Sequence, residues 1–151
     1  MSTKESNKKN EVTTEEKSER YFSGVGRRKR ATATVRIFHA PTEKGEPEVS
    51  VNGRSLVEYF PTTRLQSISL APAKATGSQS ELRISAHVRG GGLNGQAAAI
   101  SLGLARAIVS WNVDHRPVLK SGKFLSRDAR KVERKKAGLK KARRAPQWSK
   151  R

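Results

Sequence analysis

The chain has 151 residues, with 32 Lys and Arg against 13 Asp and Glu, for a net charge of +19 and a pI near 11.2. That length supports one domain with a core, and that charge calls for an anionic partner, nucleic acid first and an anionic membrane surface second. There is no cysteine and no apolar run long enough to span a bilayer, so disulfides, thiolate metal sites and a transmembrane segment are all excluded.

Residues 1–20 carry five basic and five acidic residues, and Val12 is the only aliphatic residue after Met1. Such a segment reads as a disordered leader. It lacks the apolar stretch of a signal peptide, and its five glutamates do not suit a mitochondrial transit peptide. The domain proper is expected over 21–125.

Gly24 to Arg30, GVGRRKR, reads as a glycine-punctuated basic turn. Ala31, Ala33, Val35 and Ile37 then alternate with Thr32, Thr34, Arg36 and Phe38, the period of two of a half-buried strand. The strand start brings Arg27, Arg28, Lys29 and Arg30 to one end of a sheet, where they form a candidate phosphate-binding patch. PTEKGEP, residues 41–47, marks a turn, and Val49 and Val51 a short strand, so 31–51 is expected to be a hairpin. Ser55-Leu56-Val57-Glu58 fits a capping box, and Pro61 stops the short helix that follows. Residues 62–80 are ambiguous: Ile68 and Leu70 suggest a strand, Pro72, Gly77 and Ser78 a loop.

Leu82, Ile84, Ala86 and Val88 alternate with polar residues as a second clear strand. It runs into GGGLNGQ, residues 90–96, and then into Ala97, Ile100, Leu104, Ala107, Ile108 and Trp111 at helical spacing. A helix from Gly95 to Trp111 would be about 25 Å long, and Arg106 is its only charge. It is expected to be the core helix. Asp114 is placed to cap a further helix, with Pro117 in its first turn and Gly122 closing it.

A strand, a glycine loop and a helix start can hold a nucleotide phosphate, and GGGLNGQ superficially resembles the loop of galactokinase-type enzymes. It fits neither the Walker pattern nor GxGxxG, and no carboxylate for Mg²⁺ or nucleophile with its base stands nearby. The three histidines, His39, His87 and His115, have no ligand spacing. An enzyme is therefore not expected. Arg89, Gly90 and Gly91 read instead as a place where backbone approaches an RNA phosphate, or as tight strand-to-helix packing.

From Arg127 to Arg151 the chain holds twelve Lys and Arg against Asp128 and Glu133, and no Val, Ile, Leu, Phe or Met follows Leu139. A segment so polar and self-repelling cannot offset the entropy of ordering on its own. A polyphosphate can hold it, because each phosphate neutralised releases a counterion. Residues 126–151 thus read as an extended RNA-binding tail, with Arg127, Arg130, Lys131, Arg134, Lys135, Lys136, Lys140, Lys141, Arg143, Arg144, Gln147 and Trp148 as candidate contacts.

Three blocks carry a family resemblance: GVGRRKRATATVRI, HVRGGGLNGQAAAISLGLARAI and FLSRDARKVERKKAGLKKARRAPQWSKR. They resemble the universal ninth protein of the small ribosomal subunit, bacterial type, over about residues 21–151. The resemblance implies an α+β fold: a four-stranded mixed sheet with helices on one face and a left-handed βαβ crossover, as in the domain-two-like fold of ribosomal protein S-five. It implies a cytoplasmic, ribosome-bound structural protein of the subunit head, with small-subunit rRNA, neighbouring head proteins and peptidyl-site tRNA as partners, and no cofactor, metal or membrane. It places the extreme terminus, here Ser149, Lys150 and Arg151, at the anticodon stem-loop of that tRNA. Trp148 stands where many members carry Phe or Tyr, which keeps an aromatic ring for stacking. The alternative is a free basic nucleic-acid-binding or ribosome assembly protein, which would not need a long tail with a defined end.

Overall fold

The computed structural model describes residues 20–40 and 47–150. Residues 1–19 of the expected leader, most of the expected turn at 41–47 and Arg151 lie outside the described residues. The fold is α+β, built on one five-stranded mixed sheet: β1 (Tyr21–Arg28), β2 (Ala31–His39), β3 (Val49–Val51), β4 (Arg54–Ser55) and β5 (Leu82–Arg89), in the spatial order β1-β2-β5-β3-β4. Among the described residues four α-helices complete it: α1 (Leu56–Tyr59), α2 (Thr63–Thr76), α3 (Leu93–Trp111) and α4 (Arg116–Ser121). None of the described helices is long and apolar enough to cross a membrane.

The alternating pattern read in the two main strands sets the layers. Ala31, Ala33, Val35 and Ile37 of β2 and Leu82, Ile84, Ala86 and Val88 of β5 are buried, while their neighbours in sequence are not. The antiparallel register brings the two rows together, with Ala33 opposite Val88, Val35 opposite Ala86 and Ile37 opposite Ile84. Helix α3 lies on this apolar face, against β1 and β2, and α2 packs on α3. Ala97, Ile100, Leu104, Ala107 and Ile108 are sealed between the layers. Burial of a side chain the size of Ile100 or Leu104 contributes about 1.5–3 kcal/mol. Among the described residues the other sheet face carries no such cover, a common state for antiparallel sheets.

Several expectations are corrected. The sheet has five strands, not four, because the two-residue β4 folds back on β3 through the turn at Asn52-Gly53. Residues 31–51 do not form a hairpin: β5 sits between β2 and β3, antiparallel to β2 and parallel to β3. Asn52 lengthens the β3 edge, since its side-chain amide donates to the Val88 carbonyl (3.0 Å) and accepts from the Val88 N–H (2.8 Å).

GVGRR is strand, not turn. It belongs to β1, which pairs with β2 in full register, and the turn is only Lys29-Arg30. Gly24 and Gly26 serve packing. A Cβ on Gly24 would collide with the Gly103 carbonyl and stand 2.6 Å from the Ala107 nitrogen, and one on Gly26 would collide with the Ala99 carbonyl. Two glycines on β1 and one on α3 let backbone meet backbone.

The ambiguous 62–80 stretch is mostly helix. In α2 the buried residues Leu65, Ser69, Pro72 and Ala73 line one helical face. Ser69 is tolerated there because its hydroxyl donates to the Leu65 carbonyl (2.9 Å). Ser55 caps α1 as expected, accepting from the Glu58 N–H at 3.3 Å. Asp114 does not cap α4. Asn112 instead accepts from the Asp114 N–H (2.8 Å), capping a short 3-10 turn from which α4 starts at Arg116. Gly122 ends α4, its N–H bonded to the Val118 carbonyl.

Candidate nucleic-acid interface

One end of the sheet gathers most of the residues singled out in the domain. The β1–β2 hairpin closes through Lys29 and Arg30, with Lys29 at φ 52. The glycine loop lies directly against this turn. Gly90 and Gly91 have φ values of 70 and 67, and added Cβ atoms would stand 2.8 Å from the Arg30 carbonyl oxygen and 2.9 Å from the Ala31 nitrogen. The loop glycines therefore serve both a left-handed turn and close approach to the hairpin. Gln96, in the first turn of α3, pins the loop. Its side-chain N–H donates to the Gly90 carbonyl (3.2 Å), and its oxygen accepts from the Tyr59 hydroxyl (2.9 Å).

The basic run does not act as a unit. In a strand, neighbours point to opposite faces. Arg27, opposite Thr32, shares the open face with Arg89, which also pairs with Thr32. Arg28 turns to the helical side and meets the root of the tail. Its Nη2 lies 2.7 Å from Asp128 Oδ2, and its Nη1 donates to the carbonyls of Asp128 (3.3 Å) and Arg130 (2.8 Å). Arg27, Lys29, Arg30 and Arg89 are exposed and, among the described residues, pair with no carboxylate.

Asp128 is gripped from both sides. The Arg130 guanidinium donates to its two oxygens at 2.8–3.1 Å, and the Arg130 backbone N–H donates to Oδ1 at 2.9 Å. These bonds, aided by the Arg28 charge, hold its carboxyl at about 2, below its ordinary 3.8. Just upstream, Phe124 and Leu125 pack against the core. The tail therefore leaves the domain from a fixed root beside the basic hairpin.

Beyond the root the described tail has neither helix nor strand. Glu133 pairs with Lys136 (3.3 Å) and Arg143 (2.8 Å), across a turn in which Gly138 takes φ 75. Arg127, Lys131, Arg134, Lys135, Lys140, Lys141 and Arg144 stand exposed. Gln147, Ser149 and Lys150 are also exposed, and Trp148 keeps 79% of its surface accessible. Apolar burial does not hold this end of the chain.

The reading from sequence missed Asp128 as a clasp. One signal was available: it is one of only two acids in a strongly basic segment, at the point where the domain ends.

Comparison with known proteins decides the family. The profile of ribosomal protein S9/S16 matches residues 26–151. The chain belongs to the ribosomal protein S9/S16 family. It is 50% identical over 127 residues to small ribosomal subunit protein uS9 of Corynebacterium efficiens, covering 84% of this chain and 67% of that one. It is 47% identical over 133 residues to the uS9 protein of Thermotoga maritima, covering 86% and 96%, and to that of Mycobacterium tuberculosis, covering 88% and 85%. The S9/S16 proteins are structural and not enzymes. Family membership carries a place in the ribosome, in the cytoplasm, and rRNA binding.

Proposed function

We propose that this S9/S16 protein is a structural constituent of the small-subunit head, binds rRNA at the hairpin end of its sheet and along its tail, and touches peptidyl-site tRNA with its last residues. The observation that carries this reading is the convergence at one end of the molecule. Arg27, Lys29 and Arg30, the Gly90-Gly91 loop and the clasped tail root meet there, so phosphate contacts begun on the domain continue into the tail. The exposed cations of 127–150 are suited to a backbone, with Arg able to bind phosphate bidentately. Trp148 supplies a ring for stacking. Neighbouring head proteins complete the surroundings.

The same reading divides the chain into a leader of residues 1–20 dispensable for incorporation, a domain of 21–125 and a tail of 126–151. It also takes the β3–α1–α2–β5 connection as a left-handed crossover of the S-five domain-two-like kind. The parallel pairing of adjacent β3 and β5 supports a crossover there.

The test is filter binding of two unrelated tRNAs to small subunits reconstituted with the chain lacking Lys150 and Arg151. Charge-assisted hydrogen bonds contribute about 1.5–3 kcal/mol when well made, and rRNA contacts alongside bring the net effect to the low end. Similar loss for both tRNAs, shrinking as salt rises, is expected. Unchanged affinity for both overturns the tRNA contact.

A further inference from the structure

Beside the tail root the structure holds a small cleft of about 180 Å³, which the phosphate contacts described above do not use. Helix α3 lines it with Ala98, Ser101 and Leu102, residues that share one helical face. Ile68 of α2, Phe124 of the tail root and the Arg27–Arg28 end of β1 supply the other walls. An apolar cavity of about 150 Å³ accepts one benzene ring. The cleft is therefore sized for a single planar ring with its substituents.

The aromatic wall is fixed in place. Lys123 takes φ 58 where the chain leaves α4, and the Phe124 N–H bonds back to the Leu119 carbonyl (3.0 Å). The Phe124 ring then rests on Gly122, where a Cβ would stand 2.6 Å from it. This explains the glycine: it seats the ring that forms one wall of the cleft.

One polar group in the cleft is unspent. A serine within a helix commonly bonds back to the carbonyl one turn before it. Ser69 does so to Leu65, and Ser110 to Arg106. Ser101 is only 9% exposed, lines the cleft, and makes no such bond among the described residues. A buried hydroxyl is costly without a partner, so whatever fills the cleft gains from bringing one.

The charge at the cleft favours a nucleotide over an apolar side chain. Among the described residues its one carboxylate is Asp128, already held by Arg28 (2.7 Å) and Arg130 (2.8 Å). Lys123 also lines the cleft, is exposed, and has no carboxylate partner among the described residues. An apolar side chain would use the walls and leave both the lysine and the hydroxyl without a role.

We infer that this cleft takes one unstacked base of the rRNA, with its ring on Phe124, its edge on the Ser101 hydroxyl and its phosphate on Lys123. This rests on the rRNA-binding reading above and adds to it a base contact among contacts that otherwise follow the backbone. Proteins commonly hold single-stranded RNA in this way, by stacking a splayed-out base and bonding its edge.

The test measures binding of the full chain to small-subunit rRNA over a range of salt. Ser101→Ala should lower affinity about five-fold, the loss of one ordinary hydrogen bond, and Ala is the better helix former, so α3 is not weakened. Ala98→Leu fills the cleft and should cost about five-fold or more, the loss of a stacked base. Neither should change the slope of log K against log salt, because no cation is removed. Lys123→Gln should flatten it by about 0.7–0.9. In the unmodified chain, ultraviolet crosslinking to rRNA followed by nuclease and trypsin should leave a nucleotide on the peptide of residues 124–127, a readout that stands even if a variant folds poorly. Parental affinity in Ser101→Ala and Ala98→Leu, with a flattened slope in a tail variant carrying Gln at 140, 141 and 144, overturns the cleft and leaves the rRNA reading intact. Parental affinity and slope in all of them, the tail variant included, overturn the two together. Crosslinks on tail peptides but none on 124–127 overturn the base contact, as does a crosslink there to a neighbouring protein in the reconstituted subunit.

Discussion

Arg28 and Asp128 stand 100 positions apart in sequence and 2.7 Å apart in space. The pair joins the tip of the first hairpin to the first residues of the tail, and Arg130 closes on the same carboxylate from the tail side. A tail with almost no apolar anchors beyond its root therefore still leaves the domain at a defined point.

The clasp should respond to pH in a low window. The Asp128 carboxyl titrates at about 2 in the folded chain against 3.8 ordinarily. A lowered carboxyl pKa means the clasp is fully formed above the ordinary value and is lost as pH falls through the folded one. Its contribution should therefore hold at pH 4 and above and disappear toward pH 2. Carboxyl-carbon NMR should place the Asp128 midpoint near 2. Arg130→Ala should raise that midpoint more than Arg28→Ala does, because the Arg130 hydrogen bond is the larger cause. The reverse order would make Arg28 the principal partner.

Gly26→Ala should be among the most damaging small substitutions in the chain. The new methyl would meet the Ala99 carbonyl and stand 2.5 Å from the Gly103 nitrogen, backbone atoms of α3 that cannot turn aside. The helix would have to lift from β1, an overpacking cost of about 3 kcal/mol or more. Denaturant unfolding of the full chain measures it. A loss below about 1 kcal/mol would show that α3 can slide on the sheet at the ordinary cost of a tolerated swap.

The core of α3 should behave more uniformly. Ile100 is 1% exposed and Leu104 fully buried, both between sheet and helices. Each truncation to Ala should cost about 2–5 kcal/mol, with the spread set by how far the neighbours close the gap. Chemical denaturation again gives the values, and near-neutral results would move the core elsewhere.

What could be read from sequence follows the strength of each local signal. β2, β5 and α3 carry unbroken apolar periods, so their positions and buried faces were visible. α2 was not, because its buried stripe is filled in part by Ser69 and Pro72, residues that normally argue for a loop. β1 was hidden by its own packing: Gly24 and Gly26 occupy the inward positions where Val or Ile would have announced a strand. The insertion of β5 between β2 and β3 depends on pairing across tens of residues, which no local pattern encodes. In the candidate site, the cations were all visible, but their division was not. Once the first glycines are placed on a strand, alternation alone sends Arg27 and Arg28 to opposite faces.

That division makes the last prediction. Arg27, Lys29 and Arg30 are exposed without carboxylate partners among the described residues, whereas Arg28 already spends its charge on Asp128. Removing a true phosphate contact should flatten the salt dependence of rRNA binding by about 0.7–0.9 for each residue. Arg27→Ala, Lys29→Ala and Arg30→Ala should each do so. The double variant Arg28→Ala/Asp128→Asn removes one charge of each sign and should leave the slope unchanged. It should instead free the tail root, so that trypsin cuts faster after Arg127 and Arg130 in the free chain, and Asp128→Asn alone should reproduce most of that acceleration. A flattened slope in the double variant with no change in cleavage would make Arg28 a phosphate ligand after all. An unchanged slope in all three of the other variants would remove the hairpin tip from the RNA interface.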